Sequence, residues 1–387
     1  MQRKVLVVIA DDLGRDLYAA APMPRLKMLE ATGRSYLNAW MGPVCSNFRA
    51  GFLTGREPQD PLNLVFGNFP SSVPGYAVPT AHGTLLPQLA PGSNVYHGKS
   101  HVQNAQYYTH PNECGWQSFS GSLGNLSSYY LWEHVVDGWP TQTSDYAGYV
   151  VRDGARASVE AGTDLVVASF HLPHNPYHDP PIELHSQQLP LDTTWKKALA
   201  MCEALDNLAG ELIERAVQLG YVVIFLSDNG TAPALGGKKG TLYELGVNCP
   251  MFVAGAGVVG GIPSWALVQS TDHHSTIIEL LGGVPGGLDS ISYAPDIFGS
   301  SLWVGRSWAR ASKSIVVGEL PPGGVWDRAA RNKRYKLIAR VPSQEPAEEL
   351  FDLAADPLEQ DNLLLHQDLT QAQRVAYERL KNELPTA

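Results

Sequence analysis

The sequence predicts an α/β fold, a large sheet sandwiched by helices, followed by a smaller C-terminal subdomain. Three observations predict it. Short apolar runs of strand length recur along the chain, helical patterns lie between them, and four of the runs end in clusters of polar residues. Strands alternating with helices imply a sheet covered on both faces.

In chain order, Val5–Ala10 reads as a buried parallel strand, and 94–97 as a weaker one. The pattern at 146–159 is helical. Residues 165–170 form another apolar strand. The clearest helix is 193–219, where Met201, Leu205, Leu208 and Leu212 recur at helical spacing. Strands at 221–226 and 251–254 come next, also read as buried and parallel, then a helix at 275–281 that stops at Gly282-Gly283. In the last part of the chain, 314–320 and Tyr335–Ala339 read as short strands and 364–384 as a polar terminal helix. The expected division is 1–310 and 311–387, with no internal repeat.

Composition narrows the function. The 387 residues are enough for a large core. Charged residues make up 17%, below the ~25% average, which argues against charge-driven disorder. The net charge is −10, which argues against nucleic acid and anionic membranes as partners. The one basic stretch, 328–336, reads as a surface strand or loop. Four cysteines without a C-x-x-C pair make no disulfide framework. No secretory segment precedes the first strand, and no apolar run approaches the ~18 residues of a membrane span, so a cytoplasmic location is the expectation.

The residues just past each strand are the most informative feature. Val5–Ala10 runs into Asp11-Asp12, and 94–97 into Gly98-Lys99-Ser100-His101. Residues 165–170 run into His171-Leu172-Pro173-His174, and 221–226 into Ser227-Asp228-Asn229-Gly230. In open α/β sheets ligands bind at the carboxyl ends of the strands, so these groups would share one edge. Each has an ordinary reading as well: an aspartate after a strand caps helices, Asp-Asn-Gly makes turns, and a proline-rigid loop holds histidines against backbone. Together the two acidic clusters supply three carboxylates and an amide oxygen, a hard set suited to Ca²⁺ or Mg²⁺ rather than zinc. Cys45 opens a helical stretch and precedes Arg49 by four residues, and both features favour negative charge at the position. The aromatic stretch 107–139 reads as core and loop packing, with a stacking wall for a sugar or aryl group as the alternative.

This set resembles the formylglycine-dependent sulfatases of the alkaline-phosphatase superfamily. The family's C-x-P-x-R signature stands here as Cys45-Ser46-Asn47-Phe48-Arg49, followed by Leu53-Thr54-Gly55-Arg56. Its paired aspartates match Asp11-Asp12, its G-K-x-H matches Gly98 to His101, and its P-H-x-P matches Pro173-His174-Asn175-Pro176. Its S-D-N/H-G matches Ser227 to Gly230, and its G-K-G-T matches Lys239-Gly240-Thr241, with Lys238 adjacent. The similarity spans nearly the whole chain in the family's order. Two positions depart. Asn47 stands where the family carries Pro or Ala in the signature read by the modifying enzyme, and Asn248 stands where E-G-G-x-R has its arginine.

The resemblance implies a large mixed, mostly parallel sheet and a hydrolase releasing sulfate from a small-molecule sulfate ester of aryl or carbohydrate type. It implies formylglycine made from Cys45 by a formylglycine-generating enzyme, a transient partner, and one divalent metal, Ca²⁺ ahead of Mg²⁺ or Mn²⁺. Asp11, Asp12, Asp228, Asn229 and the modified Cys45 would bind that metal. Arg49 and Lys99 would stabilise the nucleophile and the sulfate oxygens, and Lys239 and His174 would contact the sulfate. His174 would protonate the leaving oxygen, and His101 would deprotonate the second hydroxyl of the hydrated aldehyde to expel sulfate. Two alternatives remain at this level: hydrolysis of phosphonate monoesters or phosphodiesters at the same site, and non-catalytic oxyanion binding by an unmodified Cys45.

Overall fold

The computed structural model describes residues 2–58, 77–81, 83–286, 289–313, 326–340, 346–366 and 368–385. Ten strands build the main sheet. They are β1 (Val5–Ala10), β2 (Arg34–Trp40), β3 (Asn94–Lys99), β4 (Ser118–Ser122), β5 (Trp132–Val136), β6 (Trp139–Thr143), β7 (Leu165–Ser169), β8 (Val222–Ser227), β9 (Met251–Gly255) and β10 (Ser264–Gln269). Their order is β10-β2-β9-β8-β1-β7-β3-β4-β5-β6. The centre, β8-β1-β7-β3-β4, is parallel throughout. The β9, β5 and β6 pairings are antiparallel, so the sheet is mixed.

Alternation explains why β1 is apolar at every position. Val5, Val7 and Ile9 enter one core layer with Ile277 and Ile278 of the helix Asp272–Leu280. Leu6, Val8 and Ala10 enter the opposite layer with Leu205, Leu208 and Leu212 of the helix Thr194–Gln218. Each fully buried aliphatic side chain stabilises by about 1.5–3 kcal/mol. The long helix starts where its cap lies: Thr193 accepts from the Lys196 amide. The helix Ala147–Glu160 packs on the same side, through Val151, Ala155 and Val159.

Four further strands, β11 (Ala309–Lys313), β12 (Asp327–Arg331), β13 (Tyr335–Ala339) and β14 (Glu348–Asp352), form a small antiparallel sheet. The helix Gln371–Asn382 covers it through Ala376 and Leu380. Among the described residues no helix is long and apolar enough to cross a membrane.

Several expectations need correction. The run at 251–254 is β9, which lies antiparallel to β8; burial on both faces makes a strand apolar whichever way it runs. The terminal helix starts at Gln371 rather than 364, because Thr370 and Gln373 close a capping box there and Leu363–Leu365 is a separate 3-10 turn. The helix expected at 275–281 begins earlier, at Asp272. The expected strand 314–320 lies outside the described residues, and β11 spans the expected boundary at Ala311. The basic stretch 328–336 is a surface element only in part: Lys333 and Arg334 are exposed in the turn between β12 and β13. Arg331 and Lys336 are buried on β12 and β13, paired with Glu244.

Candidate active site

The carboxyl ends of β1, β3, β7 and β8 converge on the N-terminus of the helix Cys45–Thr54, whose ten residues are all buried. Cys45 is its first residue. The strand ends turn sharply there. Asp12 (φ 66°) and His101 (φ 55°) hold the left-handed backbone that L-residues seldom adopt. Gly98 is required on β3, because a Cβ there would sit 1.9 Å from the Ser169 carbonyl oxygen.

The side chains interlock around Cys45. Its thiol donates to Asp11 Oδ1 at 3.3 Å, and Lys239 Nζ lies 3.4 Å from its sulfur. Asp11 Oδ2 is paired with Lys99. Asp12 Oδ1 accepts from Lys239 at 2.5 Å and from Asn229 Nδ2 at 2.7 Å, while His174 Nε2 lies 3.8 Å from Asp12 Oδ2. Asp228 Oδ2 accepts from Arg49 at 2.9 Å, and its Oδ1 from the Asp12 amide at 3.3 Å. The neighbouring Lys238 lies over the Tyr243 ring instead, 5.7 Å from its centroid.

The electrostatics separate the groups. Burial raises Asp11, but Lys99, His174, Arg49 and Lys239 more than offset it and hold the carboxyl well below its ordinary range. Burial and the adjacent Asp11 push Asp228 up to about 6 against the pull of Arg49. Burial and Asp11 also push the Cys45 thiol upward, overriding Lys239 and Lys99. The helix start and the neighbouring cations therefore do not lower the thiol of the unmodified residue. Arg49 donates to Asp228, the Lys99 carbonyl and Ser169 Oγ.

Both histidines are driven towards the neutral form, first by burial. For His101, Lys99 and Arg49 add to it; for His174, Lys99 adds while Asp11 and Asp12 oppose. The tautomer of His174 is readable. Its Nδ1 lies 2.6 Å from the Asn175 carbonyl, which can only accept, so Nδ1 carries the proton and Nε2 faces Asp12. His101 Nδ1 is buried with no hydrogen-bond partner.

A cation fits these residues. Asp11, Asp12, Cys45 and His174 offer ligand atoms within 4.8 Å of one another. Asn229 Oδ1 beside them is buried and has no hydrogen-bond partner, an amide oxygen left without the positive charge or donor it needs. Carboxylate and amide oxygens suit a hard divalent ion. Asp228 stands outside the four-residue group, its oxygens engaged by Arg49 and the Asp12 amide.

Sequence reasoning did not single out Ser169 or Tyr96, and it placed Tyr129 only within the aromatic stretch 107–139. Ser169 and Tyr96 orient Arg49 (2.7 and 3.3 Å). Ser169 had a signal, a hydroxyl interrupting an apolar run. Tyr129 was read for its ring, not its hydroxyl, which donates to the carbonyl oxygens of both His171 and His174 at 2.7 Å and so braces the loop that carries His174. Of the loop's three histidines, only His174 reaches the carboxylates. His171 bonds Ser122 at 2.7 Å, and burial with Lys99 nearby takes it down to about 3; His178 stacks on Tyr129.

Comparison with known proteins places this arrangement. The Sulfatase family profile matches residues 3–284. Arylsulfatase J of Mus musculus is 24% identical over 318 residues, 73% of this chain and 53% of that protein. This chain thus spans about half the length of that relative. Two solved structures share the fold. Ps i-CgsB in complex with k-i-k-neocarrahexaose aligns at TM-score 0.77 with 19% identity, over 99% of this chain and 92% of that one. A protein in complex with its substrate D-glucosamine-2-N,6-O-disulfate aligns at TM-score 0.77 with 16% identity, over 99% and 97%.

Proposed function

The chain belongs to the sulfatase family of the alkaline-phosphatase superfamily, and we propose that it hydrolyses a sulfate monoester to an alcohol and inorganic sulfate. The observation that carries this reading is Cys45, held at a helix start between Asp11 Oδ1 and Lys239 Nζ, with two histidines driven towards the neutral form and two more cations around it. A thiol pushed upward in pKa is a poor nucleophile, so the site as built suits a converted residue better than cysteine itself.

Asp11, Asp12, Asn229 and the converted residue 45 would hold the metal, Ca²⁺ ahead of Mg²⁺ or Mn²⁺, with Asp228 joining them once its Oδ1 gives up the Asp12 amide. The metal and formylglycine at position 45 supply, respectively, positive charge beside the sulfate and an oxygen nucleophile of lowered pKa. The chain's own residues do the rest. Lys99, Lys239 and Arg49 surround the position with positive charge and stabilise the sulfate oxygens as the S–O bond breaks. His174 presents Nε2 towards the reaction centre; the anionic ester favours the imidazolium, which gives its proton to the departing oxygen. His101, kept neutral by burial, takes a proton from residue 45 to release sulfate.

Cys45 and Asn47 are both 0% exposed. The formylglycine-generating enzyme would therefore act before this helix is buried, and it would have to accept Asn47 in the signature. Two measurements test the reading. Mass spectrometry of the tryptic peptide 35–49, from cells co-expressing the generating enzyme, should show an aldehyde insensitive to alkylation. Turnover of 4-nitrophenyl sulfate should exceed that of bis(4-nitrophenyl) phosphate and fall by at least ~10³-fold in Cys45→Ala. An alkylatable thiol together with no sulfate turnover would reject it.

A further inference from the structure

Beside the reaction centre lies a cavity of about 280 Å³ whose wall includes His101. It opens over the loop after β4 and the start of β5. Its size is just below the ~300–1,000 Å³ of sites for drug-sized ligands, enough for one ring. One part of the wall is apolar, from Leu123, Leu126 and the buried Trp132. Gln103 shapes another part, with its amide already spent on Val102, Ser100 and the Leu123 carbonyl. Three polar groups remain available. Asn125 and Ser127 make no hydrogen bond among the described residues, and Glu133 Oε2 accepts only from Tyr108, at 3.2 Å.

The distribution of charge is the informative part. Lys99, Lys239 and Arg49 belong to the reaction centre, where each pairs with one of the three aspartates. Among the described residues the cavity wall holds no lysine or arginine and one carboxylate, Glu133. An anionic group on the bound ring, a second sulfate or a uronate carboxyl, would find no counter-charge there and would face Glu133. Hydroxyls would meet Asn125, Ser127 and the carboxylate as partners.

We infer that this cavity is the subsite for the alcohol part of the substrate, and that Glu133 selects a neutral or amino sugar ring carrying a single sulfate against polyanionic sugars. The inference rests on the sulfatase reading and narrows it to a carbohydrate substrate.

The test compares kcat/KM for a monosulfated neutral hexose, a sulfated disaccharide containing a uronate, and 4-nitrophenyl sulfate. It uses the matured full chain and the variants Glu133→Gln and Glu133→Lys. Wild type should prefer the neutral sugar over the uronate by about tenfold, the effect of one like charge at contact range near a surface at low salt. Glu133→Gln should bring the two sugars close to equal, and Glu133→Lys should reverse the order. The preference should shrink with added salt. Because each result is a ratio within one protein, partial misfolding of a variant does not affect it. A ratio that is the same in all three proteins, or a wild-type preference for the uronate, overturns the inference. Hydrolysis of 4-nitrophenyl sulfate with neither sugar accepted also overturns it, while leaving the sulfatase reading standing. Failure on all three esters removes that reading and the inference with it.

Discussion

The molecule holds two buried clusters of opposite charges, and they differ in how completely they are closed. At the interface of the two sheets, Glu244 accepts from Trp40, Lys336, Asn248 and Arg331 at 2.7 to 3.2 Å. Lys336 is also paired with Glu359 at 2.6 Å and lies over Trp40, 4.9 Å from its ring. Both oxygens of Glu244 are filled, and the two cations draw its carboxyl below the ordinary range although burial pulls the other way. Around Cys45 the same residue types are present, three carboxylates against three cations, but Asn229 Oδ1 and His101 Nδ1 are left without partners. A closed cluster is one that positions secondary structure. An unclosed one has donors and acceptors reserved for something that arrives later.

The largest effect should come from opening the closed cluster. Lys336→Met leaves Glu244 and Glu359 buried with one cation between them, and should cost about 3–5 kcal/mol in urea unfolding. Turnover per folded molecule should persist, because Lys336 touches nothing in the site. Lys239→Met should do the opposite, removing turnover at less than half that cost in stability, since Asp12 keeps its bond from Asn229. Equal losses of stability in the two variants would break the comparison.

Closing the unclosed cluster should be visible as stabilisation. Ca²⁺ at 100 times its Kd should add about 2.7 kcal/mol, read as a rise in Tm that a chelator reverses. Asp12→Asn should abolish the rise and Lys336→Met should keep it. A response that survives Asp12→Asn would move the metal elsewhere.

The smallest effect sharpens the boundary of the site. Tyr129→Phe removes a hydroxyl that holds the His171 and His174 carbonyls, a bond worth about 1 kcal/mol. It should lower kcat about fivefold with KM nearly unchanged, because it acts on the orientation of His174 and not on binding. A change confined to KM would assign Tyr129 to substrate contact instead.

Much of the fold and the site is legible in the chain, for a local reason. β1, β3, β7 and β8 each announce themselves by apolar runs, and the residues just past them, Asp11-Asp12, Lys99 to His101, His174 and Asp228-Asn229, are brought to one edge by parallel topology alone. The antiparallel β9 is misread because an apolar run reports covered faces and not direction. Arg331 and Lys336 are misread because charge predicts exposure until a buried partner is known, and Glu244 lies far from both in sequence.

By itself, then, the sequence determined the layers of the fold and the strand-end clusters. It did so because periodicity and turn chemistry act over a few residues. Only the tertiary structure decided that Lys239 rather than Lys238 meets Asp12, that the Cys45 thiol is pushed up rather than down, and that Tyr129 braces His174. Those outcomes depend on distance and burial summed over residues remote in the chain, and a charge's effect on its neighbour is set by where the fold places both.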